Sequence, residues 1–270
     1  MMSKYGFIGT GNMGGALARA VAKTVDGEDI FLTNRTRKKA EVLAAELDCQ
    51  VCDNVIVAAA CDYVFLGVKP QMMAGLFSEI APALTKRQER VILVTMAAGL
   101  TMETICRMAG GDYPVIRLMP NTPAAIGEGM ILYAANDLVT ESELAEFLDA
   151  MSPAGRFDRL DEKLIDAGSA VCGCGPAYAY MMIEALADGG VACGLPRAKA
   201  VEYAAQMMAG AAKMVLETGK HPGELKDAVC SPGGSTIAGV RALENGGFRA
   251  AAINAVAAAC EKNKELGKAK

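Results

Sequence analysis

Tryptophan is absent from this 270-residue chain, histidine occurs once, at His221, and aromatic residues make up only 5% of it. So little aromatic surface leaves no platform for stacking nucleic-acid bases. With one histidine, the nine cysteines lack the nitrogen ligands of a mixed zinc site, so no metal centre is expected. Basic residues are not in excess: 27 Lys and Arg against 31 Asp and Glu give a formal charge of −4, which argues against nucleic acid or an anionic membrane as a partner. No long apolar leader is visible before the first strand pattern. The most apolar later stretch, near residues 177–193, is interrupted by Glu184, Asp188 and Gly189-Gly190, so no membrane span is expected and a cytoplasmic location follows as the default. The pairs Cys49-Gln50-Val51-Cys52 and Cys172-Gly173-Cys174 read as buried thiols of a reducing compartment.

What is present is ample for a core: 52% of the residues are hydrophobic and 21% charged. Apolar strand-type runs at 5–9, 29–34, 63–68, 91–95 and 115–119 alternate with helical periodicity. Residues 12–25 read as a helix through Leu17, Val21 and Val25. Residues 37–47 form another, with Val42, Leu43 and Leu47 on one side and Lys38, Lys39, Glu41 and Glu46 exposed. This βαβ alternation predicts an α/β fold with a doubly wound, mostly parallel sheet over residues 1–158, completed by a strand at 129–134 and a helix at 141–151. From residue 159 to 270 the signals are almost all helical, at 177–191, 197–217, 236–245 and 248–264. Several of these helices are apolar on more than one face, which requires partners on several sides and predicts self-association through this all-helical domain, at least as a homodimer.

Gly9-Thr10-Gly11-Asn12-Met13-Gly14 follows the first strand and opens the first helix, the context in which a G-x-G-x-x-G pattern reads as a dinucleotide cradle. Gly9 permits the turn, Gly11 lets a pyrophosphate approach the backbone, and Gly14 lets helix and strand pack closely. At the end of the second strand, Thr33-Asn34-Arg35-Thr36-Arg37 carries no acid to hold a ribose diol. Arg35 and Arg37 can instead pair with a 2′-phosphate, with Asn34 and Thr36 as hydrogen-bonding groups, so NADPH is expected over NADH. Loops after three further strands, at Val68-Lys69-Pro70, Ala97-Ala98-Gly99 and Met119-Pro120-Asn121, are the expected lining for ribose and nicotinamide. Near the other end, Ser231-Pro232-Gly233-Gly234-Ser235-Thr236 runs directly into an amphipathic helix. Free amides and hydroxyls at a helix N-terminus suit a small carboxylate, and a cofactor cradle with a carboxylate site suggests an oxidoreductase acting on a small acid.

These motifs, with Arg117-Leu118-Met119-Pro120-Asn121-Thr122-Pro123, Gly173-Cys174-Gly175-Pro176-Ala177-Tyr178 and above all the run from Leu225 to Glu244, resemble the Δ1-pyrroline-5-carboxylate reductases of proline biosynthesis over essentially the whole chain. The resemblance implies a Rossmann domain plus a helical domain that interlocks with that of a second subunit. It implies that Ser231 and Thr236, with amides around Gly233, Gly234 and Ser235, bind the substrate carboxylate, that Asn54 lies near the adenosine end of NADPH, and that hydride is transferred to a cyclic imine. Ser231 and Thr236 are the expected catalytic groups, with Thr236 or a water as proton source. A glutamate that some members place before a His-Pro pair is replaced here by Gly219, and His221 reads as a loop bystander. Residues 170–182 contain no lysine to serve as the acid or base that alcohol oxidation on a similar layout uses, whereas imine reduction needs none. The alternatives are a reductase of a related cyclic imine acid and a non-catalytic NADP-binding regulator.

Overall fold

The computed structural model describes residues 3–268, in two compact units. The first runs up to Cys174 and resumes at Ala259; the second is Gly175–Ala258.

The first unit is built on β1 (Tyr5–Ile8), β2 (Ile30–Thr33), β3 (Gln50–Val51), β4 (Tyr63–Leu66), β5 (Ile92–Thr95), β6 (Val115–Met119), β7 (Gly129–Ala135) and β8 (Gly155–Arg159). Their order is β3-β2-β1-β4-β5-β6-β7-β8. The strands from β3 to β6 are parallel; β7 runs antiparallel to β6, and β8 parallel to β7. Side-chain alternation splits the core between two faces. Tyr5, Phe7, Leu32, Tyr63 and Phe65 join one cluster, with helices α1 (Asn12–Val21), α2 (Arg37–Leu47) and α6 (Glu141–Met151) contributing to it. Ile8, Phe31, Val64 and Leu66 join the other, with α3 (Asn54–Ala60), α4 (Met73–Lys86), α5 (Met102–Ala109) and α7 (Glu162–Cys172). Stacked rings fix the register at the centre: Phe7 lies 4.2 Å from Phe65 and Tyr5 5.0 Å from Tyr63.

The second unit contains α8 (Gly175–Ala192), α9 (Arg197–Thr218), α10 (Pro222–Ala228) and α11 (Ser235–Asn245); α12 (Phe248–Lys268) belongs to it as far as Ala258. Gly194, at φ +97°, and Pro196 make the turn between α8 and α9. Of the residues on α8 only Ala187 is fully buried, and on α9 only Ala200 and Ala204.

Three expectations change. α1 ends at Val21 rather than at residue 25, because Lys23 and Thr24 turn back onto Ala20 and Val21, though Val25 still packs on the core. Val42 is 60% exposed: α2 packs through Ala40, Leu43 and Ala44, and Val42 falls off that stripe. β8 was not expected; only its Phe157 reaches the core, so its apolar signal is a single residue. The first compact unit extends past residues 158/159 to Cys174, since Ile165 and Ala170 of α7 are buried and α7 is tied to β6 by ion pairs.

Candidate active site

The register aligns Ile8 with Thr33 on one side and Leu66 on the other, and Leu66 with Thr95. The loops after β1, β2, β4, β5 and β6 therefore gather along one edge of the sheet, and the order of strand addition reverses between β1 and β4, where open α/β sheets bind ligands. Gly9 stands at φ +98°, and a Cβ there would lie 2.6 Å from the Gly67 carbonyl oxygen. A Cβ at Gly14 would lie 2.2 Å from the Gly9 oxygen, so the first turn of α1 seats directly on the strand end. At Gly11 a Cβ would meet nothing within 4 Å: this glycine keeps space open in front of the helix. Gly11 is the N-cap of α1 and no side chain caps that helix, whose first turn begins with exposed Asn12 and half-buried Met13. The buried Thr10 hydroxyl has no hydrogen-bond partner among the described residues. Open space, uncapped amides and an orphaned hydroxyl fit a diphosphate.

At the β2 end, Arg35 is exposed and in no ion pair among the described residues, while Arg37 is shared between Glu41 at 3.4 Å and Asp53 at 3.6 Å. The Asn34 side-chain amide donates to the Thr36 carbonyl at 3.1 Å, folding this loop onto the start of α2, where Thr36 is an N-cap residue with no side-chain cap bond. Asn54 stands next to this corner: Thr33 Oγ1 donates to its Oδ1 at 3.0 Å and its Nδ2 donates to Glu79 at 2.9 Å.

Val68 is half-buried and Lys69 exposed, the latter at the N-cap of a 3-10 turn that begins at Pro70. Ala97 is buried and donates its N–H to Thr95 Oγ1 at 3.3 Å; Ala98 and Gly99 are half-buried, Gly99 at φ +73°. Met119 and Pro120 are buried at the end of β6. Asn121 is brought to this edge, but its side chain is used inside the protein. Nδ2 donates to the Cys172 carbonyl at the end of α7 (3.0 Å), and Oδ1 accepts from the Met130 N–H (3.1 Å). Its amide is thus a bracket between loop, helix and strand, which leaves only its backbone to face a ligand.

In the second unit, Gly234 is the N-cap of α11 and no side chain caps the helix. Gly233 takes φ +69°, Gly234 N–H donates to the Ser231 carbonyl at 3.1 Å, and a Cβ at Gly234 would fall 2.4 Å from Ser231 Oγ. The two glycines therefore fold the turn so that Ser231 sits beside the helix start, with Ser231, Ser235 and Thr236 all exposed. Uncapped amides, the helix dipole and these hydroxyls at one helix start are chemistry that suits a small anion. His221 is not a bystander: it is the N-cap of α10, with Nδ1 accepting from the Gly223 N–H at 3.1 Å. The signal was Pro222, which suits a first helical position.

Sequence reasoning missed Arg117. It is 2% exposed in mid-strand β6, with its guanidinium 2.6 Å from Asp166 and 3.5 Å from Glu162, both on α7; its Nε has no partner among the described residues. Glu162 also accepts the Met102 N–H at the start of α5, at 2.7 Å. The cysteines are all free, and burial pushes the Cys49 thiol up to about 11 and raises Cys61 and Cys172 as well, the opposite of an activated thiol.

Residues 162–266 match the family described as pyrroline-5-carboxylate reductase dimerisation, and residues 4–99 the family described as NADP oxidoreductase, coenzyme F420-dependent. The pyrroline-5-carboxylate reductase of Escherichia coli K12 is 42% identical over 272 aligned positions, covering 99% of this chain and all of the relative. That of Glycine max is 40% identical, covering 97% of this chain and 95% of its own length. A crystal structure of Plasmodium falciparum pyrroline carboxylate reductase with NADP bound superposes with a TM-score of 0.88 at 33% identity, covering 98% of each chain. With this identity along nearly its full length and a matching fold, the chain belongs to the pyrroline-5-carboxylate reductase family.

Proposed function

We propose that this chain reduces the C=N bond of Δ1-pyrroline-5-carboxylate to give L-proline, with NADPH as the preferred cofactor. The observation that carries the reading is the uncapped, glycine-turned N-terminus of α11 in a chain of this family. A five-membered cyclic imine bearing a carboxylate presents one anion and one electrophilic carbon. The α11 amides, with Ser231 and Thr236, hold the anion and thereby orient the ring. NADPH, when bound, supplies the hydride. The cradle from Gly9 to Gly14 holds its diphosphate, Arg35 with Asn34 and Thr36 its 2′-phosphate, and Asn54 stands at the adenosine end. The loops at Val68-Lys69-Pro70, Ala97-Ala98-Gly99 and Met119-Pro120, with the Asn121 backbone, border the ribose and nicotinamide. Hydride adds to carbon and a proton ends on nitrogen. A protonated imine is already electrophilic, so water or the Thr236 hydroxyl suffices as proton source and no strong protein acid is required.

Self-association through the second unit follows from its surface. Tyr180 is 59% exposed, and Met181, Leu216 and Ile253 are each 69% exposed, more apolar surface than a monomer ordinarily leaves in water. By length and composition the stretch Glu162–Ala192 would also suffice to cross a membrane, with mean hydropathy 1.2. It lies within the region matching the dimerisation family, and Glu184 and Asp188 interrupt it, so we assign its exposed apolar residues to contact with a second copy. Nine cysteines fit a reducing compartment, the cytoplasm.

The test is oxidation of NADPH and of NADH, in parallel, in the presence of Δ1-pyrroline-5-carboxylate, with proline measured as product. Proline-forming turnover faster with NADPH is the expected result; binding of NADPH without turnover would refute the reaction.

A further inference from the structure

We propose that Glu79 is a positioning residue for NADPH: by accepting a hydrogen bond from Asn54, it fixes that side-chain amide in the one orientation that leaves an N–H donor for the adenosine end of the cofactor. The proposal rests on the reading, given above, that Asn54 stands at that end.

Hydrogen bonds lead from the cradle to Glu79 through two residues. Gly9 N–H donates to the Thr33 carbonyl at 2.9 Å, at the end of β2, where a Rossmann sheet receives the adenosine ribose. Thr33 is 7% exposed, and its hydroxyl donates to Asn54 Oδ1 at 3.0 Å. Asn54 Nδ2 donates in turn to Glu79 Oε2, on α4, at 2.9 Å. An asparagine amide can turn over and exchange its oxygen with its nitrogen. The Thr33 hydroxyl suits either orientation, because a hydroxyl both donates and accepts. The Glu79 carboxylate only accepts, so it admits the nitrogen and excludes the reverse. Glu79 therefore decides which way the amide lies. One N–H of Nδ2 is used by Glu79, and the other has no partner among the described residues. Asn54 is half-buried, and the adjacent Asp53 pairs at 3.6 Å with Arg37, which closes the loop after β2. Phosphate and ribose oxygens are acceptors, so a free N–H serves them where a carbonyl oxygen would repel them. Glu79 itself is exposed, and Asn54 is its one hydrogen-bond partner among the described residues.

The experiment measures dissociation constants by calorimetry for two probes, NADPH and adenosine 2′,5′-bisphosphate. The proteins are the wild type, Glu79→Gln, Glu79→Met, Asn54→Ala, and Asn54→Ala combined with each Glu79 substitution. Glutamine can still accept from Asn54 Nδ2 and methionine cannot. Both are uncharged, similar in length and good helix formers, so their difference isolates the hydrogen bond from the charge and from helix stability. Glu79→Met should raise both constants by about threefold or more, while Glu79→Gln stays within about twofold of the wild type. With Asn54→Ala in place no amide is left to orient, and the Gln and Met substitutions should give equal constants. A merely structural role of Glu79 would keep the Gln–Met difference in that background. Equal constants for Glu79→Gln and Glu79→Met, or a difference between them that survives Asn54→Ala, would overturn the proposal, while weakened binding in Asn54→Ala alone leaves Asn54 at the adenosine end. Wild-type constants in Asn54→Ala would overturn that placement and this proposal with it.

Discussion

Replacing Arg117 by Met should destabilise the first unit by about 3 kcal/mol. The guanidinium is 2% exposed and reaches Asp166 at 2.6 Å and Glu162 at 3.5 Å, and these carboxylates are only 25% and 26% exposed. Breaking a buried ion pair by removing one partner costs roughly 3–5 kcal/mol, chiefly because the charge left behind is uncompensated. Two features favour the low end. The carboxylates have some access to water, and Glu162 keeps the Met102 N–H at 2.7 Å. Asp166 is the larger loser, having given up its 2.6 Å contact. Methionine preserves most of the volume, so little of the loss is cavity. The assay is urea unfolding at pH 7.5 and a single protein concentration, since association would otherwise add to the apparent stability. The double variant Arg117→Met with Asp166→Asn removes the stranded charge and should recover at least about 1 kcal/mol. A loss below about 1 kcal/mol in the single variant, or a double variant no more stable than the single one, would refute the reasoning.

Thr236→Ala should raise the substrate KM by about tenfold or more while leaving NADPH affinity nearly intact, since one hydrogen bond to a charged group contributes roughly 1.5–3 kcal/mol; steady-state kinetics with both substrates varied distinguishes this from a general loss. Arg35→Glu should raise the KM for NADPH far more than that for NADH, because Arg35 is exposed and free of ion pairs among the described residues, and an equal effect on both would remove the 2′-phosphate assignment. Burial raises the Cys49 thiol from 9.0 to about 11, so below pH 9 its thiolate fraction is depressed by about a hundredfold. Iodoacetamide followed by mass spectrometry should therefore show slow labelling of Cys49 in the folded protein that accelerates as pH rises toward 11, and rapid labelling at neutral pH would contradict the buried-thiol assignment.

The parts of the candidate site that were legible in the sequence are those made by consecutive residues. The cradle from Gly9 to Gly14 and the turn from Ser231 to Thr236 are each a glycine-shaped bend feeding a helix, and a bend of that kind is encoded by the residues that form it. The side chains whose partners the sequence did not show are governed by distant contacts or by a small local cue. Asn121 is taken up by the carbonyl of Cys172 and the amide of Met130. Arg117 is an ordinary residue of a strand until α7 brings Glu162 and Asp166 against it. Nothing in the neighbourhood of Arg117 in the chain foretells a buried charge.

The sequence by itself determined the α/β alternation, the cradle, the basic end of β2 and the helical second half, because hydrophobic period and turn chemistry act over a few residues. Only the tertiary structure decided that β7 reverses and carries β8, that α7 packs with the sheet, that Val42 faces water, and that the Asn121 side chain bonds to Cys172 and Met130. Each of these depends on which surfaces meet once the chain has closed on itself, and a buried polar group takes whichever partner that closure supplies.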